Sequence, residues 1–197
     1  MVKGKQKYSI NFLSPQINKE EGGANINNAE FKKEVKSWVI ALGCAFVFVF
    51  ICRNFIFTPV KVVGQSMQPT YENHDRVIVS KIGQIKHFDT IVFHSPIEKE
   101  DYIKRVIGLP NDTIEIQDDV LYINGQKYEE PYLQQNKSEL LPNQKLTENI
   151  KIKVPKGHIF VLGDNRQNSM DSRQIGCISE EAVIGKAIFR FYPGKEN

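Results

Sequence analysis

The sequence has few cysteines and lacks a metal-binding pattern. Only three cysteines occur, and two of them, Cys44 and Cys52, lie in an apolar segment. This number and placement exclude the disulfide framework that is typical of small secreted domains. Cys177 has no histidine beside it in the sequence to make it a reactive thiol, so we interpret it as a small buried hydrophobic residue. Because neither a metal-ligand cluster nor a glycine-rich phosphate loop occurs, we expect no cofactor and no metal.

The sequence also lacks an excess of positive charge in the part that we expect to fold. The net charge of the 197 residues is +3, and residues 1–36 alone hold seven lysines and four glutamates, which leaves the remainder neutral. A nucleic-acid-binding domain carries its basic excess on the folded surface. We therefore expect no nucleic-acid partner.

One long run of residues has almost no charge. Residues 38–52 are uncharged, and the apolar sequence continues past Arg53 to Phe57. A helix of about 20 residues is about 30 Å long, which matches the hydrocarbon core of a membrane. The run starts too late in the chain for a cleaved signal peptide, and it is apolar on all sides, unlike an amphipathic core helix. We predict a permanent transmembrane anchor at residues 37–57.

The residues before this run predict its orientation. Residues 1–30 are rich in Lys, Asn, Gln, Glu and Gly, which predicts a polar tail that does not fold. Lys32, Lys33 and Lys36 then precede the anchor, and the positive-inside rule places them in the cytoplasm. We therefore expect a single-pass plasma-membrane protein with a cytoplasmic tail at residues 1–36 and an extracytoplasmic domain at residues 58–197.

The sequence of the extracytoplasmic domain predicts a mainly β fold. Short runs rich in β-branched and aromatic residues alternate with turn signals, which is typical of an antiparallel β fold. The runs cover residues 76–80, 90–93, 102–107, 113–116, 120–123, 159–162 and 186–191. Asn124-Gly125 predicts a tight hairpin between residues 120–123 and 126–128. Residues 129–150 contain two prolines, and we expect a long surface insertion with little regular structure.

A serine and a lysine in this domain are candidates for catalysis. Ser66 lies between Gly64 and Pro69 on backbone that can turn sharply and direct N–H groups at a substrate oxygen. In a strand, Lys104 would share a face with Tyr102 and Val106, and burial among such neighbours lowers the pKa of a lysine.

Other interpretations stay open on the residues alone. In one, Ser66 is part of an ordinary turn, and in another it uses a histidine as its base. In both, Lys104 is an ordinary lysine in contact with solvent. The histidines available for this role are His74, His87, His94 and His158.

Three motifs in one order resemble the type I signal peptidase family. They are residues 62–70 around Ser66, residues 101–108 with Lys104-Arg105, and residues 163–173 with Gly163-Asp164-Asn165. The resemblance runs from the apolar segment to near the C-terminus. It implies a signal-peptidase-like domain of coiled antiparallel sheets after a single transmembrane helix.

The resemblance also implies roles for individual residues. Ser66 would be the nucleophile and Lys104 its general base. Ser169 would hold the lysine, and a group of charged residues would brace the site: Asp164, Arg166, Asp171, Arg173 and Arg105. Shallow apolar pockets would bind the substrate, and their candidates by position are Val62, Gly64, Met67, Tyr102 and Ile103. Since Gly64 stands where some relatives carry a serine, any oxyanion hole would use backbone N–H groups, chiefly that of Ser66.

The implied substrates are exported preproteins with N-terminal signal peptides, cut after small-x-small sequences such as Ala-x-Ala. Membrane lipid and the protein-export machinery are the further partners that we expect. Two alternatives remain at this point. One is a self-cleaving protein of the LexA type, which also uses a serine and a lysine but is soluble, unlike a chain with an anchor. The other is a membrane-anchored β module without catalytic activity.

Overall fold

The computed structural model describes residues 28–192. The chain divides into two compact units, Met1–Ala45 and Phe46–Asn197. The described part of the first unit is helical and belongs to α1, which covers Asn28–Ile51 and ends in the second unit. The second unit contains the β strands.

Helix α1 is apolar over most of its length. By length and composition, Phe31–Ile51 is apolar enough to cross a membrane, and it is the one such helix within residues 28–192. The helix starts earlier than the predicted anchor, because lysine and glutamate before residue 37 are good helix formers. It also ends earlier. A short π-helix, Cys52–Ile56, follows it, and Phe57 is the first residue of a strand, not the last of the helix.

Eleven strands and two further short helices follow within the described residues. The strands are β1 Phe57–Lys61, β2 Arg76–Ser80, β3 Thr90–His94, β4 Asp101–Gly108, β5 Thr113–Gln117, β6 Val120–Ile123, β7 Gln126–Tyr128, β8 Ile150–Lys153, β9 His158–Leu162, β10 Ile178–Ser179 and β11 Val183–Tyr192. The helices are α2 Gln134–Ser138 and α3 Ser172–Ile175. The mainly β prediction is confirmed, and all seven predicted runs lie within strands.

The strands form two antiparallel sheets. The larger has the order β1-β2-β11-β3-β4-β9-β10, and the smaller has the order β7-β6-β5-β8. The predicted hairpin at Asn124-Gly125 is present: both residues have positive φ, and Ile123 pairs with Gln126 across the turn. Positive φ at both turn positions is what a two-residue hairpin requires.

Strand β4 lies in the interior of the larger sheet, between β3 and β9. Its residues from Ile103 to Gly108 are buried, including Lys104 and Arg105 on its two faces. Side chains alternate between the faces of a strand, so β4 carries one charged side chain into the protein on each side. This placement brings the two side chains to the loops that follow β1 and β9.

The segment 129–150 is more than a surface insertion. It contains a 3₁₀ turn, Pro131–Leu133, and helix α2. Leu133, Leu146, Thr147 and the carboxylate residue Glu130 are buried. The expectation of little regular structure was therefore wrong for residues 131–138, because this segment packs apolar and polar side chains against the rest of the domain.

Candidate active site

Ser66 and Lys104 lie side by side. Ser66 belongs to the loop between β1 and β2, and the Nζ atom of Lys104 on β4 is 2.8 Å from its Oγ atom. Lys104 is only 4% exposed and donates a second hydrogen bond to the carbonyl of Ile103 at 3.0 Å. Its Nζ atom is also 5.1 Å from the centre of the Tyr102 ring. Two residues 38 positions apart in the chain are thus in hydrogen-bond contact.

The environment of Lys104 favours its neutral form. Burial lowers the pKa of Lys104 to about 8, although the negative charges of Asp171 and Asp164 act in the opposite direction. An ordinary lysine titrates near 10.4. Near pH 8, about half of the Lys104 side chains are therefore neutral amines, and a neutral amine at this distance has the geometry that a general base for the Ser66 hydroxyl requires.

The four histidines have other surroundings. A ring nitrogen of His87 lies 2.7 Å from Asp112, and a ring nitrogen of His94 lies 2.7 Å from Asp101. His158 contacts the carbonyl of Lys156, and His74 is exposed. Within residues 28–192, the titratable side chain that contacts the Ser66 hydroxyl is a lysine and not a histidine.

Arg105, on the opposite face of β4 from Lys104, forms a buried ion pair. Its guanidinium donates two hydrogen bonds to Asp164, at 2.8 and 2.6 Å, and Asp164 is fully buried. Thr70, four residues after Ser66, also donates to Asp164. The guanidinium stacks on Tyr132, with its carbon 4.0 Å from the ring centre. Two parallel hydrogen bonds fix this pair in one geometry, so β4, the Ser66 loop and the 163–173 loop are held together.

A second ion pair lies at the end of the 163–173 loop. Asp171 accepts two hydrogen bonds from the Arg173 side chain, both at 2.8 Å, and one from the backbone N–H of Gly163. Asp171 also caps the N-terminus of α3. Arg173 donates to the carbonyl of Arg166 at 2.7 Å. These contacts join the first residues of the 163–173 loop to its last residues.

Glu130 completes the bracing network, and sequence reasoning missed it. Its carboxylate accepts a hydrogen bond from the guanidinium of Arg166 at 2.5 Å, and both side chains are almost fully buried. Arg166 also donates to the carbonyl of Gly163 and to the hydroxyl of Thr147. The predicted bracing residue Arg166 therefore has its acidic partner in the segment 129–150, where no local signal marks it.

The loop that carries Ser66 is pinned by the residues after β9. Asn165 donates from its backbone to the carbonyl of Ser66 at 3.0 Å and from its side chain to the carbonyl of Gln65 at 3.2 Å. Gly163 permits this approach, since a Cβ atom there would lie 2.5 Å from the Ser66 carbonyl oxygen and 2.1 Å from Ser169 Oγ. No side chain other than hydrogen fits in this space.

Ser169 lies at the site but does not hold Lys104 in this structure. Its Oγ atom is buried and has no hydrogen-bond partner among residues 28–192. The predicted hydrogen bond from Ser169 to the lysine is therefore absent, because Lys104 directs its hydrogen bonds to Ser66 and Ile103 instead. A role of Ser169 in holding the lysine remains a prediction.

A cleft of about 560 Å³ contains Ser66 and Lys104. Four of the predicted substrate-binding residues line it: Val62, Gly64, Tyr102 and Ile103. Met67 does not; it packs in the core with Val77 and Val79, because its side chain leaves the loop on the inner side. Nine residues that were not predicted also line the cleft: Val60, Lys61, Val63, Gln65, Val92, Glu100, Asp101, Asn168 and Met170.

Comparisons with known proteins point to one family. The family model for signal peptidase, peptidase S26, matches residues 35–192. Signal peptidase IB of Staphylococcus aureus (strain COL) is 41% identical over 182 aligned residues, which cover 84% of this chain and 93% of the relative. Signal peptidase I of Bacillus caldolyticus is 46% identical over 165 aligned residues, which cover 76% of this chain and 90% of the relative.

A solved structure is similar as well. The crystal structure of a signal peptidase I from Enterococcus faecalis V583 has a TM-score of 0.53 and 39% sequence identity, and the match covers 54% of this chain and 99% of that structure. The match to the family model runs from within the apolar helix to the end of β11. The chain therefore belongs to the signal peptidase family, peptidase S26.

Proposed function

We propose that this protein is a membrane-bound signal peptidase that cuts preproteins with a Ser66–Lys104 dyad. Family membership makes the chain a serine endopeptidase, which removes the alternative of a non-catalytic β module. The observation that carries the proposal is the 2.8 Å contact between the Ser66 hydroxyl and a lysine whose pKa is lowered to about 8 by burial.

The first half of the reaction forms an ester. Ser66 Oγ attacks the carbonyl carbon of the residue before the cut, while its proton passes to the neutral Lys104 Nζ atom. The carbonyl oxygen becomes negative and is stabilised by backbone N–H groups beside Ser66. When the C–N bond breaks, the Lys104 ammonium returns a proton to the leaving nitrogen, and the mature protein departs with a free N-terminus.

The second half releases the signal peptide. Lys104, neutral again, takes a proton from a water molecule that attacks the ester carbon. The Ser66–carbonyl bond breaks, and the proton returns from Lys104 to Ser66 Oγ. The signal peptide leaves as a carboxylic acid, which loses its proton to solvent, and the dyad regains its starting protonation state.

The cleft supports a preference for small side chains before the cut. Its walls near Ser66 are the apolar side chains of Val62, Val92 and Ile103 together with the Tyr102 ring. Small apolar side chains such as that of alanine suit these walls, whereas a charged side chain would lose its hydration against them. We infer cleavage after small-x-small sequences.

A membrane location is supported by the apolar helix and by a short tether. Ser66 is nine positions after Phe57, the first residue after the helical segment, so the two are at most about 30 Å apart along an extended chain. Val63, which lines the cleft, is 77% exposed. Large parts of the Phe189, Phe191 and Tyr192 side chains on β11 are exposed as well. Exposed apolar side chains of this kind suit an interface with lipid. Val62 and Met67 are apolar residues of the same loop, but they are buried and take no part in this surface.

A precursor series tests the proposed specificity. The full-length protein in detergent is incubated with one signal-peptide-bearing precursor whose residues at the first and third positions before the cut are Ala. If the site accepts only methyl-sized side chains at these positions, replacing either Ala with Leu should lower kcat/KM by at least about tenfold. Equal cleavage of all precursors, with the same mapped cut site, would contradict the proposed preference.

A further inference from the structure

A second cleft lies beside the Ser66 loop and has no role in the reaction described so far. Its volume is about 540 Å³. Its lining is mostly amide and carboxylate side chains: Gln68, Glu72, Gln135, Glu139, Asn165 and Gln167. This polar cleft differs from the first cleft, whose walls near Ser66 are apolar.

The two clefts are lined by different residues of the loop that carries Ser66. Residues 60–66 line the first cleft, whereas Gln68 and Glu72 line the second. The facing loop divides in the same way: Asn168 lines the first cleft and Asn165 lines the second. Asn165 donates hydrogen bonds to the carbonyls of residues 65 and 66, which line the first cleft. A peptide bound across Ser66 in the first cleft therefore has the second cleft within reach.

The second cleft is held in shape by hydrogen bonds. The side-chain amide of Asn136 in α2 donates to the carbonyl of Asp164 at 2.8 Å and to the carbonyl of Gln68 at 3.3 Å. Leu146 forms a buried part of the wall. The helix thus contacts both loops, and the cleft exists before any substrate arrives.

The chemistry of the lining favours one class of peptide. No lysine, arginine or histidine lines the second cleft, and two carboxylates do. Glu72 accepts one hydrogen bond from Gln68, and Glu139 accepts one from Gln135, so each carboxylate keeps lone pairs for a ligand. The amides suit a polar peptide, and the two negative charges repel acidic side chains.

We propose that the second cleft binds the first residues of the mature protein, at the second to fourth positions after the cut, and discriminates against acidic side chains there. This proposal rests on the proposed function. Gln68 is two residues from Ser66, and the distance between them is at most about 7 Å along the chain. Two to four extended residues beyond the cut span about 7 to 14 Å, which reaches from Ser66 into this cleft.

The test uses two precursors that differ only in the third residue after the cut, Lys in one and Glu in the other. At low ionic strength, kcat/KM should be about two- to fivefold higher for the Lys precursor, the size expected of partly exposed charge pairs. The difference should shrink at high salt. Glu139→Gln and Glu72→Gln should each reduce the ratio, and the double variant should bring it close to one.

Glu148→Gln is the matched control, because Glu148 is an exposed carboxylate near the same segment that does not line the cleft. It should keep the wild-type ratio. Since Glu139 is exposed, Glu139→Gln tests the cleft even if Glu72→Gln disturbs the loop. If both precursors are cut at equal rates by the wild type, or if the double variant keeps the full ratio, the second cleft is not a binding site and the proposed function stands. If neither precursor is cut, both proposals are wrong.

Discussion

Lys104 is a basic residue in surroundings that disfavour its charged form. Burial lowers its pKa to about 8, and the neighbouring acids limit this effect. If the neutral amine is the base, kcat/KM should fall about tenfold for each pH unit below about 7 and should level off above about 9. Rates of precursor cleavage between pH 5 and pH 10 measure this profile. A midpoint near 6.5 would indicate a histidine base instead.

We predict that Glu130 contributes as much to the free energy of unfolding as any residue in contact with Ser66 or Lys104. Glu130→Gln leaves the guanidinium of Arg166 buried without a negative partner, which costs about 3–5 kcal/mol. Urea unfolding should show this loss. Glu129→Gln is the matched control, because Glu129 is the exposed neighbour and should change the free energy of unfolding by less than about 0.5 kcal/mol. Equal stability of the two variants would contradict the bracing role.

The motifs around Ser66, Lys104 and Asp164 were visible in the sequence because each has its own local pattern. Glu130 was not, since its partner lies 36 residues away and nothing beside it distinguishes it from a surface acid. Asn136 escaped notice for the same reason: it acts through two backbone carbonyls, which carry no sequence signal. Met67 was misjudged because sequence position alone does not say which side of a loop a side chain leaves.

Strands were predictable where apolar residues form a compact run bounded by turn signals, as in β2, β3 and β6. Strand β1 was missed because Phe57 continues the apolar helix and Pro59 argues against a strand. The structure resolves this: β1 is at the edge of its sheet, where a proline is tolerated. Strand β8 was missed because it has only two apolar residues, Ile150 and Ile152, directly after an irregular segment.

The loop after β9 depends on Gly163. A Cβ atom there would collide with Ser169 Oγ and with the Ser66 carbonyl oxygen, so Gly163→Ala should displace the nucleophile. A shift of about 1 Å at a reacting group can lower the rate about 100-fold. We expect that loss in kcat/KM.

Adding Ser169→Ala to this variant removes only the collision with the Ser169 hydroxyl. Ser169 Cβ, 2.6 Å from the added Cβ atom, and the Ser66 carbonyl stay in place, so the double variant should stay impaired. Full recovery of kcat/KM in the double variant would show that the Ser66 loop does not depend on Gly163.

At the scale of the whole chain, the apolar helix and the lysines before it predict that the N-terminus is cytoplasmic and the β domain is outside. A tag at residue 1 and a protease site inserted after Gly83, in an exposed loop, report on the two sides. In intact protoplasts, added protease should cut at Gly83 and leave the tag intact. In lysed cells it should remove both. Loss of the tag with an uncut loop in intact protoplasts would reverse the topology.

The central claim is that Ser66 and Lys104 together cut preproteins. The most direct measurement incubates one signal-peptide-bearing precursor with the full-length wild type, Ser66→Ala and Lys104→Arg, and maps the products by mass spectrometry. The wild type should cut once, after a small-x-small sequence. Both variants should be at least about 100-fold slower, because Ser66→Ala lacks the nucleophile and the guanidinium of Lys104→Arg keeps its proton at working pH. Near-normal cleavage by a variant that unfolds at the wild-type temperature would contradict the dyad.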